Sequence, residues 1–248
     1  MSTTENRLQA VTGRIARAAA MAGRNAQEIT LIAVSKTQPA DAVRALAAAG
    51  IRQFGENYVQ EALEKIQALD EPDIIWHFIG PIQSNKTRAI ATHFDWVHSV
   101  DRLAIAERLS NQRPNDRPAL QICLQVNMSG EASKSGCEPT SAPALVAAIA
   151  RLPRLQLRGL MTVPAPQSAP ALQRGPFDRL RELAHAISRT GTMLDTLSMG
   201  MSDDLEAAIA AGSTMIRIGT ALFGARVPAT HAPGGTSSGQ PAASSGQQ

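Results

Sequence analysis

Residues 30–50 read TLIAVSKTQPADAVRALAAAG. Leu31-Ile32-Ala33-Val34, with Thr30, is a short apolar run of the kind that forms a buried strand, and the alanine-rich register after Pro39 and Asp41 opens a helix. A cation, Lys36, stands where strand hands over to helix. The same step recurs along the chain. Strands are predicted at 30–36, 51–56, 74–79, 95–100, 120–127, 155–163, 194–199 and 215–219. Helical patterns fall between them at 39–49, 57–69, 83–93, 101–112, 138–151, 173–190 and 203–212, with Gly50 and Gly212 as stops. Eight strands with seven interleaved helices, behind an amphipathic N-terminal helix, predict an α/β fold, a single (β/α)8 TIM barrel, better than an open doubly wound sheet.

With 248 residues and 44% hydrophobic content the chain buries a sizeable core, and one domain over residues 1–227 is expected. From Pro228 onward it runs into HAPGGTSSGQPAASSGQQ, which lacks large apolar residues and cannot offset its ordering entropy, so 228–248 is expected to be a disordered low-complexity tail. The balance of 24 basic against 21 acidic residues leaves +3 with no basic run, and aromatics are 3%; neither suits a nucleic-acid partner. Cys123 and Cys137 form no CxxC pair and no histidines cluster, so neither a disulfide framework nor a metal site is predicted. No run approaches ~18 apolar residues, and Arg14 and Arg17 interrupt the N-terminal helix, so no membrane span or signal peptide is predicted and the cytoplasm is the expected compartment.

In a parallel barrel, functional groups collect at the carboxyl ends of the strands. Lys36 has two readings there: a stem that snorkels to solvent, or an amine whose pKa burial lowers until it serves as a Schiff-base lysine. The loops LSMGMSDD (197–204) and RIGTALFG (217–224) follow strands seven and eight, where barrels typically hold a phosphate. Gly200 and Gly219 permit close backbone approach, and Ser202 and Thr220 supply hydroxyls. The alternative is that Ser202 caps helix 203–212 and Gly219 turns the chain; Asp203 and Asp204 favour it, since carboxylates suit a helix start and repel phosphate. In FGENYVQE (54–61), Asn57 either caps the next helix or turns its amide to a ligand hydroxyl. In WHFIGPIQSNK (76–86), His77 lies within a strand, where a satisfied core histidine is the commoner outcome. NMSGEASKSG (127–136) is a lid or a connection.

A strand-one lysine and a phosphate cradle together call for one ligand bearing an aldehyde and a phosphate, and pyridoxal 5′-phosphate fits. Arg217, at the end of strand eight, then has a role: guanidinium donates to the pyridine nitrogen but cannot accept its proton, so the ring stays a poorer electron sink.

The runs AVSKTQPADAV, FGENYVQE, WHFIGPIQSNK, SKSG and LSMGMSDDLEAAIAAGSTMIRIGTALFGAR, in that order, closely resemble the YggS/PROSC family of pyridoxal phosphate homeostasis proteins, related to the barrel domain of alanine racemase, over about residues 5–226. The resemblance implies a fold-type III barrel in which Lys36 forms the internal aldimine, Asn57 contacts ring substituents, Ser202, Gly219 and Thr220 hold the phosphate, and Arg217 faces the pyridine nitrogen. Met199, Gly200 and His77 are implied as further pocket residues. It also implies a binding and carrier protein, with apo-enzymes that use the cofactor as recipients, and assigns no catalytic residue. The rival is a racemase-like enzyme, which needs an acid/base on each face of the substrate carbanion; the one tyrosine, Tyr58, is expected on the following helix rather than above the ring. A third reading is a barrel that binds a phosphorylated metabolite without the cofactor. A monomer is expected, by analogy with a racemase lacking its second domain.

Overall fold

The computed structural model describes residues 2–131, 134–166 and 169–224, so the expected tail at 228–248 lies outside the described residues, as do Ala132 and Ser133 of the 127–136 loop. Helix α1 (Thr3–Met21) comes first, started by a capping box in which Ser2 and Glu5 satisfy each other's backbone N–H. There follow β1 (Thr30–Val34), α2 (Ala40–Ala48), β2 (Gln53–Glu56), α3 (Val59–Leu69), β3 (Ile75–Phe78), α4 (Thr87–His93), β4 (Trp96–Val100) and α5 (Leu103–Gln112). The second half continues with β5 (Leu120–Gln125), α6 (Ala142–Ile149), β6 (Leu155–Met161), α7 (Pro170–Ser188), β7 (Thr196–Ser198), α8 (Leu205–Ala210), β8 (Met215–Ile218) and α9 (Thr220–Phe223). The eight strands form a closed parallel barrel in chain order, with β1 returning to β8 in the register Thr30↔Met215 through Ala33↔Ile218. The expected (β/α)8 barrel with an extra N-terminal helix is the observed fold.

Side chains alternate across each strand, and this parity sorts the interior. Ala33, Phe54, Trp76, Phe78, Leu197 and Ile216 point outward into the large core under the helices. Ile32, Trp96, Cys123, Met161 and Met215 form a smaller cluster inside the barrel. Gln53, His77, His98, Ser198 and Arg217 share the inward parity, so the barrel interior carries a polar layer beside an apolar one.

Helix α1 and the segment just after it fasten the closing segment: Arg7 donates to the Phe223 carbonyl at 2.7 Å, Arg14 pairs with Glu206 at 2.8 Å, and Arg24, beyond the helix, donates to the Ile209 and Ser213 carbonyls. Val11, Ile15, Ala18 and Ala19 are the buried stripe of that helix.

The expected boundaries shift in two places that matter. β1 ends at Val34, so Lys36 lies in a turn, where Gln38 N–H bonds the Ser35 carbonyl at 3.0 Å and Thr37 takes φ +64°. The helix expected at 203–212 is α8, starting only at Leu205, which leaves Met201–Asp204 as a loop above the barrel.

Candidate functional site

The carboxyl ends of the strands enclose a cavity of about 310 Å³. Its wall includes Val34, Lys36, Asn57, Ile79, Val163, Met201, Ser202, Asp203, Arg217, Gly219 and Thr220. Six of the residues singled out in the sequence, Lys36, Asn57, Ser202, Arg217, Gly219 and Thr220, are therefore brought together from the ends of β1, β2, β7 and β8.

His77, Met199 and Gly200 do not line this cavity. Met199 shares the outward parity of Leu197 and packs, fully buried, in the core under the helices. Gly200 acts through its backbone: its carbonyl accepts from Arg217 N–H at 3.0 Å, and at φ +96° a Cβ would come within 2.5 Å of the Ala208 methyl. His77 lies in the polar layer of the barrel interior, bonded to Gln53 and His98, as a satisfied core histidine.

The alternative capping roles fall away. The N-cap of α3 is Tyr58, and Asn57 Oδ1 is buried with no hydrogen-bond partner among the described residues. A buried amide oxygen without a donor costs about 1–3 kcal/mol, which a ligand hydroxyl would relieve. Gly80 allows this arrangement, because a Cβ there would come within 2.3 Å of the Asn57 carbonyl oxygen. The N-cap of α8 is Asp204, not Ser202, and Asp204 Oδ1 accepts from Met201 N–H at 2.6 Å, which holds the loop. Ser202 is left on the cavity wall.

A buried ionic cluster clamps the turn that carries Lys36. Lys65 Nζ, on α3, donates to the Ser35 carbonyl at 2.6 Å, to Glu56 Oε1 at 2.7 Å and to Glu61 Oε1 at 2.5 Å. Ser35 Oγ donates to the same Glu56 oxygen at 2.6 Å, and Thr37 N–H donates to Glu61 at 2.5 Å. The backbone on both sides of Lys36 is thus held from α3, and this holds Thr37, a β-branched residue, in the left-handed region. Burial raises the Glu56 pKa even though Lys65 pulls it down.

Arg217 forms the floor. It is 4% exposed, donates from Nη1 to Ser198 Oγ at 2.6 Å and from Nη2 to the Thr162 carbonyl at 2.9 Å, and burial pushes its pKa down to about 10. These bonds use two of the five guanidinium donors, and the cation retains donors for a ligand. Ser35, Lys65, Thr162, His98 and Ser198 were not singled out in the sequence; Ser198 and His98 carried a usable signal in their inward parity, whereas Lys65 on a helix carried none.

The family profile described as alanine racemase, N-terminal domain, matches residues 7–227. A pyridoxal phosphate homeostasis protein of Pseudomonas aeruginosa is 61% identical over 226 residues, covering 91% of this chain and 97% of that protein. The chain belongs to this family, the YggS/PROSC group. A second pyridoxal phosphate homeostasis protein, from Escherichia coli K12, is 53% identical over 232 residues, covering 91% of this chain and 98% of its own length. Among solved structures, PipY of Synechococcus elongatus with PLP bound is 40% identical, with TM-score 0.74 over 85% of this chain and all of PipY.

Proposed function

We propose that the chain is a cytoplasmic pyridoxal 5′-phosphate-binding protein that holds the cofactor through a Schiff base on Lys36 and serves its homeostasis and carriage rather than a turnover of its own. The observation that carries this reading is the convergence on one cavity of an amine, Lys36, a buried unpartnered acceptor, Asn57 Oδ1, and a buried cation, Arg217. The residues fit the ligand. Asn57 would accept from a ring hydroxyl, Arg217 would donate to the ring nitrogen, and Ser202, Gly219 and Thr220 would receive the phosphate. When bound, the cofactor supplies an aldehyde for amines and an electron sink behind it. The chain's own part is to orient the ring and to weaken that sink, since a guanidinium facing the ring nitrogen cannot give it a proton.

A binding role rather than racemisation is supported by the position of the one tyrosine. Two-base proton transfer needs a group on the cavity face opposite the lysine. Tyr58 is 57% exposed at the start of α3 and is not on the cavity wall. Apo-enzymes that require the cofactor are the expected recipients. Among the described residues no helix is long and apolar enough to cross a membrane.

The test is a titration of the purified chain with pyridoxal phosphate, followed by visible absorbance, alongside Lys36→Ala and an alanine racemisation assay. One cofactor per chain, loss of the yellow band in Lys36→Ala and no racemisation are expected. Steady racemisation abolished by Lys36→Ala would replace this reading with the enzyme.

A further inference from the structure

We propose that Ser198, His98, His77 and Gln53 form a one-directional hydrogen-bond chain that orients the Arg217 guanidinium without neutralising it, which makes Ser198 and His98 positioning residues for the cation of the cavity. Toward the cofactor, this rests on the pyridoxal phosphate reading above.

The chain crosses the barrel interior from β8 to β2. Arg217 Nη1 lies 2.6 Å from Ser198 Oγ, Ser198 Oγ 2.7 Å from His98 Nδ1, His98 Nε2 2.9 Å from His77 Nδ1, and His77 Nε2 2.6 Å from Gln53 Oε1. Both ends have fixed roles: a guanidinium only donates and an amide oxygen only accepts. Beginning at Gln53, His77 must carry its proton on Nε2 and offer a lone pair at Nδ1. His98 must then carry its proton on Nε2, and its free Nδ1 accepts from the Ser198 hydroxyl. Ser198 oxygen turns its remaining lone pairs to Arg217. Every link so presents its electronegative atom toward the cation.

The direction depends on both rings being neutral. A charged imidazole carries a proton on each nitrogen: a charged His77 would set its Nδ1–H against the His98 Nε2–H across their 2.9 Å gap, and a charged His98 would turn an Nδ1–H toward Ser198 Oγ and reverse that link. Both rings are fully buried, and burial alone pushes His77 down to about 3; the same burial, with the charges of His77 and Arg217, depresses His98. Among the described residues no carboxylate forms an ion pair with Arg217. Asp204 raises its pKa through space but spends its oxygen on Met201 N–H. Aligned neutral dipoles therefore do the work a counter-ion would otherwise do, and they leave the positive charge unspent at the cavity floor.

The experiment is nitrogen NMR of the full chain labelled with ¹⁵N-histidine at neutral pH, first without cofactor. His77 and His98, recognised as the pair perturbed by Ser198→Ala, are each expected to show a protonated Nε2 and an unprotonated Nδ1. A proton on Nδ1 of either ring, in a neutral or a charged imidazole, would overturn the chain. The second readout is the ring ¹⁵N resonance of labelled pyridoxal phosphate, which should move in Ser198→Ala while Lys36 still holds the cofactor. An unmoved resonance would overturn the positioning role. If the wild-type chain takes up no cofactor, the reading of the cavity fails, and the tautomers measured without cofactor still decide whether the chain of hydrogen bonds exists.

Discussion

His77 and Arg217 share the inward parity of the barrel, but Arg217 reaches the cavity wall whereas His77 lies in the layer beneath it, bonded to Gln53 and His98. That depth has a measurable consequence. Its pKa falls from the ordinary 6.5 to about 3 on folding, through burial, so between these values the unfolded chain binds a proton that the folded chain does not. The stabilising contribution is present above pH 6.5 and is lost as pH falls toward 3. The expected slope is about 1.4 kcal/mol per pH unit for this ring. Urea unfolding as a function of pH should show it, and His77→Gln should flatten the dependence by one proton; an unchanged slope would mean that the folded state admits the charge.

Among the elements, α3 has a role beyond covering β2. Its buried face includes Val59, Ala62 and Leu69, as its apolar spacing predicts, but also Lys65. A helix-period reading assigns a lysine to solvent, and what overrides it is a partner from another element: Glu56 at the end of β2, with a fully buried side chain. Breaking a buried pair by removing one member costs about 3–5 kcal/mol, because the remaining charge is left uncompensated. Lys65→Met is therefore expected to lower the unfolding free energy by about that amount with an unchanged denaturant slope, and to weaken cofactor uptake although Lys36 itself is intact. A loss below about 1 kcal/mol would mean that Glu56 takes up a proton and that the clamp on the Ser35–Thr37 turn is dispensable. The four-residue α9 was not predicted, because it carries too few turns for a periodic pattern, and the six-residue α8 is shorter than the helix expected at 203–212.

For the whole molecule, the alternation of apolar strand and amphipathic helix was enough to predict the closed barrel, because each βα step must bury its helix against the sheet and eight such steps close it. The polar layer inside was not legible as a network, since hydrogen bonds across a barrel join residues as distant as His98 and Ser198, 100 positions apart. The contacts of α1 with Phe223 and Glu206, and of Arg24 just after it with Ile209 and Ser213, complete the barrel before the C-terminal residues are reached. A chain ending at Val227 is accordingly predicted to keep the full chain's urea midpoint and its cofactor stoichiometry, and to elute as a monomer by light scattering; a lower midpoint would assign the last residues a part in the fold. On the function proposed above, Lys36, inside the turn after β1, holds the cofactor's aldehyde. Borohydride reduction of the cofactor-loaded protein, followed by peptide mass mapping, is expected to show one pyridoxyl group, on Lys36; a label on another lysine, or none after cofactor is added, would refute that assignment.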